Sequence, residues 1–251
     1  MTIPAQFIRS HILIGDQGLE LLASKHILVA GLGGVGSYCV EALARAGIGH
    51  LTLIDHDVVA SSNINRQLPA LLSTVGSYKA ELMARRINDI NPACQVDIKI
   101  LFLTPENVAG NIPENVHYVI DCIDSLNCKV ALIQAAVNKQ RPVASSMGAG
   151  NRLDPAHIKL GDISKTEMCP LARIMRKRLH RNGIKSGILT VFSDEPSSAP
   201  LPPEPVEGPG RPRAVNGTIS YMPALFGLML AGEVIRRLLL EASIKTPQPR
   251  D

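Results

Sequence analysis

Six residues, Gly31-Leu32-Gly33-Gly34-Val35-Gly36, constrain this chain more than any other stretch. They follow a short apolar run, His26 to Ala30, and open a helical pattern, Ser37 to Ala46. A buried strand that turns through glycines into a helix gathers helix-terminal N–H groups around an anion. The missing side chains let a phosphate approach the backbone. Asp55 closes the next apolar run, His50 to Ile54, 24 residues after Gly31, where a carboxylate accepts ribose hydroxyls. Gly31, Gly33, Gly34, Gly36 and Asp55 are therefore candidate nucleotide-binding residues. The motif alone does not separate NAD from ATP.

The strand–helix rhythm continues past Asp55. Tyr78 to Asn91 reads as a helix, with Ala80, Met83, Ala84 and Ile87 on one face and Pro92 as its stop. Val96 to Leu101, Val116 to Cys122 and Pro142 to Ser145 read as strands, Pro105 to Ala109 as the start of a short helix and Lys129 to Lys139 as a longer one. This βαβ order predicts an α/β, Rossmann-like fold with a mostly parallel sheet and helices on both faces. Beyond residue 150 the pattern predicts two short strands, Ile158 to Leu160 and Leu189 to Phe192, around a basic helix, Pro170 to Arg181. The stretch Pro196 to Pro212 holds seven of the 18 prolines and reads as an irregular, mobile crossover loop. An apolar helix, Tyr221 to Leu240, follows. We expect one domain over residues 1–240, with a core at about 20–150, a C-terminal subregion at 151–240 and a flexible tail at 241–251.

Composition narrows the field. Aromatic residues make up 3% with no Trp, which argues against a base-stacking, single-strand-binding surface. The net charge of +4 suits an anionic ligand without requiring one. The five cysteines form no CxxC pair, so a structural zinc site is not signalled. Cys39 and Cys122 lie in apolar runs and read as buried free thiols. Met1 to Ile14 lacks a basic region followed by a long apolar stretch, and the location expected is cytoplasmic. Tyr221 to Leu240 approaches the length of a membrane span, but Glu233, Arg236 and Arg237 interrupt it. A buried helix at a core or subunit interface is the expectation, without stable membrane association.

The residues after Asp55 favour a triphosphate over a dinucleotide. Arg66 offers a fork and Lys79 a point charge to phosphates, and Asp124 ends a strand where a carboxylate can hold magnesium. Taken singly, each has a bland alternative: Arg66 as a solvated loop residue, Lys79 as an exposed helix charge and Asp124 as a helix N-cap. Their joint placement around one crevice favours ATP with Mg2+ as the cofactors. A NAD-binding redox enzyme and a non-catalytic nucleotide-binding scaffold remain as alternatives of another class.

GLGGVGS, LIDHD, SNINRQ, VGSYKAE and DCIDS, in this order, resemble the ThiF/MoeB/HesA family, relatives of ubiquitin-activating enzymes that adenylate a carboxylate. The resemblance implies that Asp55 binds ribose. It also implies that Asn63, Arg66, Gln67 and Lys79 surround adenosine and phosphates, and that Asp124 serves magnesium. It further implies that Arg9 reaches into the ATP site of a partner subunit, hence a homodimer in which Arg9, Arg66, Lys79 and Asp124 are catalytic.

The segments from Pro170 to Leu179, Val191 to Ser193 and Asn216 to Pro223 are similar to a tRNA-modifying branch of that family. That branch uses ATP to dehydrate and cyclise a carboxylate-bearing adenosine beside the anticodon. Some of its members carry a Cys where this chain has Gly217-Thr218-Ile219-Ser220, so no thioester step carries over. With tRNA as partner, Arg173, Lys177 and Arg181 form a candidate tRNA-binding stripe with Arg178 beside it, while Leu171, Ile174 and Leu179 are available for packing. The alternative within the family is an adenylyltransferase that activates a sulfur-carrier protein, with a sulfur-transfer or sulfur-acceptor protein as partner.

Overall fold

Strands flanked by helix-forming segments cannot pair with sequence neighbours through tight turns, so they stack in parallel with the helices as crossovers. The computed structural model of the chain describes residues 3–198, 201–204 and 213–241. Helix α1 spans Ile8–Ala23, strand β1 His26–Ala30, α2 Gly36–Ala46 and β2 His50–Ile54. Then come α3 (Lys79–Ile90), β3 (Gln95–Lys99), α4 (Val108–Asn111), β4 (Tyr118–Asp121), α5 (Leu126–Asn138) and β5 (Val143–Ser146). The C-terminal part holds β6 (Ile158–Asp162), α6 (Pro170–Arg181), β7 (Leu189–Ser193), β8 (Leu201–Glu204), β9 (Arg213–Val215) and α7 (Tyr221–Glu241).

Seven strands form one sheet in the order β3-β2-β1-β4-β5-β7-β6. Every pair is parallel except β6 with β7. The order reverses between β1 and β4, and the crevice at such a switch point, outside the carboxyl ends of the strands, is where open α/β sheets bind ligands. All residues of β1, β4, β5 and β7 are buried, as near-continuous apolar strands covered on both faces require. One apolar core joins the sheet to α2, α3 and α7, with Leu43, Met83, Ile87 and Phe226 among its members. The other joins the opposite face to α5 and α6 through Leu132, Ile133, Met175 and Leu179.

Helix α7 is a core helix. Met222, Phe226, Leu230 and Val234 are buried at helical spacing. A Cβ on Gly227 would lie 2.2 Å from the Val35 carbonyl, so glycine is what lets α7 cross the start of α2 in backbone contact. Its charges stay on the helix surface, where Glu233 accepts from both Arg236 and Arg237. Among the described residues no helix is long and apolar enough to cross a membrane.

The structure departs from the sequence expectations in three places. The stretch Pro196 to Pro212 is not wholly irregular: Leu201–Glu204 pairs antiparallel with Arg213–Val215, with a register shift between Leu201 and Pro203. Both strands of a two-stranded ribbon are edges, where a proline without an N–H is tolerated. Residues 205–212 and the tail at 242–251 lie outside the described residues. Helix α6 packs through Ala172, Met175 and Leu179, whereas Ile174 is exposed and Leu171 half-buried. Cys122 is only half-buried, because it leaves the carboxyl end of β4. Helix α1 lies before the stretch that the strand–helix rhythm covers: Gly15, at φ 66°, breaks its regularity, Ile14, Leu21 and Leu22 pack against the core, and its apolar Ile8, Ile12 and Leu13 are exposed.

Candidate functional site

The glycines of the β1–α2 turn are dictated by closeness. Gly31 has φ 87°, and a Cβ there would lie 2.7 Å from the Cys122 carbonyl after β4. A Cβ on Gly36 would lie 1.7 Å from the Gly31 carbonyl, which forces the turn to close on itself only with glycine. Gly33 and Gly34 line the cleft that results, and Gly34 packs against Pro223 of α7. This cleft of about 280 Å³ lies at the switch point, close to the lower end of small-molecule sites (~300–1,000 Å³).

Asp55 sits at the end of β2 and is 9% exposed. Its Oδ2 accepts the Leu32 N–H at 2.6 Å, so the carboxylate pins the glycine turn directly. Its Oδ1 accepts the Asp57 N–H at 2.8 Å. Burial raises the Asp55 pKa above the usual carboxylate value, opposed by these two N–H groups and by the Lys79 charge. Each oxygen retains a lone pair for a ribose hydroxyl.

Lys79 begins α3, yet is 4% exposed, and its Nζ lies 2.7 Å from Asp57 Oδ2 at the cleft wall. Arg66 is half-buried and lines the same wall. Its Nη1 donates to the Ser62 carbonyl at 2.9 Å and to Asn65 Oδ1 at 2.8 Å. Gln67 is buried beside Gly33, and its Oε1 has no hydrogen-bond partner among the described residues. An orphaned acceptor in a cleft wall fits a site whose ligand brings a donor. Asp124 is exposed at the lip, after β4. Ser125, not Asp124, is the N-cap of α5.

Two candidates lie apart from this cleft. Asn63 is outside its lining: Asn63 Oδ1 accepts the Ala60 N–H at 3.2 Å, which shapes the loop that carries Arg66. Arg9 is exposed on α1, outside the cleft of its own chain.

Several lining residues give no local signal in the sequence. Phe102, after β3, meets the His56 ring edge-on at 4.7 Å on the cleft rim. Thr218 and Pro223 arrive from the far C-terminal part. Beneath the cleft, Lys129 is 1% exposed and donates to Asp121 Oδ2 at 2.7 Å and to the Ser146 carbonyl at 2.9 Å. Ser145 Oγ donates to the same carboxylate oxygen at 2.6 Å. This buried pair ties the ends of β4 and β5 together. Strand-end carboxylates are the legible part of such a network, and their partner eight residues later looks like an ordinary helix lysine.

On α6 the basic residues divide. Arg173 and Lys177, with Arg176, His180 and Lys185, line a hollow of about 370 Å³ against Ile163 and Ile184. Arg178 is turned to the other side, where its guanidinium donates to Asn127 of α5. Arg181 is exposed at the helix end, outside the hollow.

A doubly covered α/β sheet with a glycine turn, a buried carboxylate and two cations lining one cleft at its switch point defines a nucleotide-binding protein of the dinucleotide-fold class. The sequence profile of the ThiF family matches residues 8–250, and the chain belongs to that family. It is 40% identical over 247 residues to the tRNA threonylcarbamoyladenosine dehydratase of Bacillus subtilis (strain 168), covering 96% of this chain and 97% of that protein. Identity to the Escherichia coli (strain K12) enzyme of the same name is also 40% over 247 residues, covering 92% of each chain. The crystal structure of the E. coli dehydratase in complex with ATP superimposes with a TM-score of 0.86 at 38% identity, covering 97% of this chain and 99% of that one.

Proposed function

We propose that this protein is a tRNA threonylcarbamoyladenosine dehydratase: it uses ATP to cyclise threonylcarbamoyladenosine beside the anticodon of tRNA. The observation that carries this reading is the convergence of the glycine turn, Asp55, Arg66, Gln67, Lys79 and Asp124 on one cleft. The near full-length similarity to enzymes of that name supports it.

The chemistry follows from the poor electrophilicity of a carboxylate. A threonyl carboxylate oxygen attacks phosphorus of ATP and expels pyrophosphate from the α-phosphorus or ADP from the γ-phosphorus, leaving an activated acyl ester. The neighbouring carbamoyl oxygen then attacks the acyl carbon and expels the phosphorylated oxygen, so the nucleoside loses one water in sum. The nucleophile already belongs to the substrate, so the protein supplies position and charge neutralisation. Asp55 holds the ribose, the glycine turn and Arg66 hold phosphate, and Asp57 fixes Lys79 at the wall along which the phosphates lie. The carboxylates of Asp55, Asp57 and Asp124 on one cleft are oxygen donors of the type hard divalent cations take. Asp55, His56 and Asp57 bring ligand atoms within 4.8 Å of one another. Magnesium held by Asp124 would neutralise charge on the phosphates.

The same reading makes the active form a homodimer completed by Arg9 in trans, acting in the cytoplasm where tRNA is found. The test is incubation with ATP and modified tRNA, followed by mass spectrometry of the nucleoside. Loss of one water is expected. An unchanged nucleoside, together with ATP–pyrophosphate exchange driven by a carrier protein ending in Gly-Gly, would favour the sulfur-carrier alternative.

A further inference from the structure

Gly148-Ala149-Gly150 follows β5 and closes one side of the cleft, with Ala149 and Gly150 in its lining. Asn151, at φ 60°, pins the turn: its N–H donates to the Gly217 carbonyl at 2.8 Å and its Oδ1 accepts the Gly217 N–H at 2.7 Å. Behind the turn lies Arg152, 4% exposed and outside the cleft lining. Its Nη1 donates to the Gly148 carbonyl at 2.6 Å and the Gly150 carbonyl at 3.3 Å, and its Nε to the Glu195 carbonyl at 3.3 Å. All three of these acceptors are neutral, and among the described residues Nη2 is buried without a partner. A guanidinium keeps its charge throughout the physiological range, and burying it without a carboxylate opposes folding. A purely structural role would be met better by an apolar residue or a paired one.

Peptide geometry says what this charge does. The chain has no cis peptide bond among the described residues. In a trans peptide the C=O and the following N–H point to opposite sides. Arg152 draws the Gly148 carbonyl toward itself, so the Ala149 N–H points away from Arg152; Ala149 lines the cleft and Arg152 does not. That N–H donates to none of the described backbone carbonyls. The strand order β2-β1-β4-β5 puts the turn after β5 on the far side of the cleft from the ribose carboxylate after β2. A nucleotide with its ribose after β2 and its phosphates at the glycine turn after β1 would carry an acyl group toward that side.

We propose that the Ala149 N–H donates to the acyl oxygen of the activated threonyl group, and that Arg152 is the positioning residue that aims and polarises it. The assignment rests on the dehydratase reading above. When the carbamoyl oxygen adds to the acyl carbon, the acyl oxygen gains negative charge, and it returns to a carbonyl as the phosphorylated oxygen leaves. A donor fixed before the substrate arrives stabilises that charge without reorganisation. A guanidinium on the carbonyl of the same peptide group strengthens the donor.

The experiment uses the full chain with ATP and modified tRNA and compares wild type with Arg152→Gln and Arg152→Lys. Arg152→Gln is expected to lower kcat by about 100-fold, with the affinity for ATP and the KM for tRNA unchanged. Arg152→Lys, which keeps the charge, should recover part of the loss. Wild-type kcat in Arg152→Gln would overturn the proposal, as would a parallel loss of ATP affinity and thermal stability. A second probe leaves every side chain in place: a backbone ester at the Gly148–Ala149 linkage removes that N–H and weakens the Gly148 carbonyl as an acceptor for Arg152. It should reproduce the loss of kcat, and an unaltered kcat there would overturn the proposal even where Arg152→Gln fails to fold. Failure of wild type to dehydrate the tRNA would instead sink the dehydratase reading itself.

Discussion

Asp124 and Arg66 reach one cleft from loops on either side of the switch point, and neither belongs to an apolar core. Asp124→Ala and Arg66→Ala are therefore expected to abolish turnover with the thermal midpoint unchanged, measured by nucleoside mass spectrometry beside a melting curve. Lys129 is the opposite case. Lys129→Ala would strand the Asp121 carboxylate in the interior, and breaking one partner of a buried pair costs about 3–5 kcal/mol. Urea denaturation should show that loss, while Lys129→Ala/Asp121→Ala should be less destabilised than the single variant. His26 carries a pH effect. Burial, then the His50 ring stacked on it at 3.5 Å, lowers its pKa to about 4. The unfolded chain takes up this proton near pH 6.5, before the folded one does. The contribution is thus fully present above that pH and is lost as pH falls toward 4. The urea midpoint should drop over that window in wild type and less steeply in His26→Gln.

At the scale of elements, α6 shows how packing sorts charge. Ala172, Met175 and Leu179 face the core, so Arg173 and Lys177 are left on the outer side, while Asn127 holds Arg178 against α5. Phosphate contacts weaken with salt roughly in proportion to the cations engaged. Lys177→Ala/Arg181→Ala is expected to raise the KM for tRNA and flatten its salt dependence with ATP affinity unchanged. Arg178→Ala should alter the slope least. A salt slope equal to wild type in the double variant would move the tRNA contact off this helix. The stripe was legible because helical spacing is regular. The turning of Arg178 was not, because Asn127 lies far away in sequence and its approach depends on how α5 and α6 pack.

For the whole molecule, the exposed apolar residues of α1 and the exposed Arg9 among them bear on assembly. In a two-fold dimer with Arg9 acting in trans, mixing inactive Arg9→Ala with inactive Asp124→Ala should restore part of the activity, since one site of each mixed dimer keeps both groups. Verified heterodimers without activity would exclude the trans role. The sequence by itself determined the α/β alternation, the glycine turn and the carboxylate at the end of β2. Those features are local: a tight turn demands glycine, a doubly covered strand demands an apolar run, and a proline stops a helix. Tertiary structure alone decided that Lys79 is buried against Asp57, that Pro223 closes on Gly34, and that Arg152 is buried behind the cleft against backbone carbonyls. In sequence a lysine or arginine reads as solvated surface. Its partners and its burial are set by strands and helices brought together from distant parts of the chain.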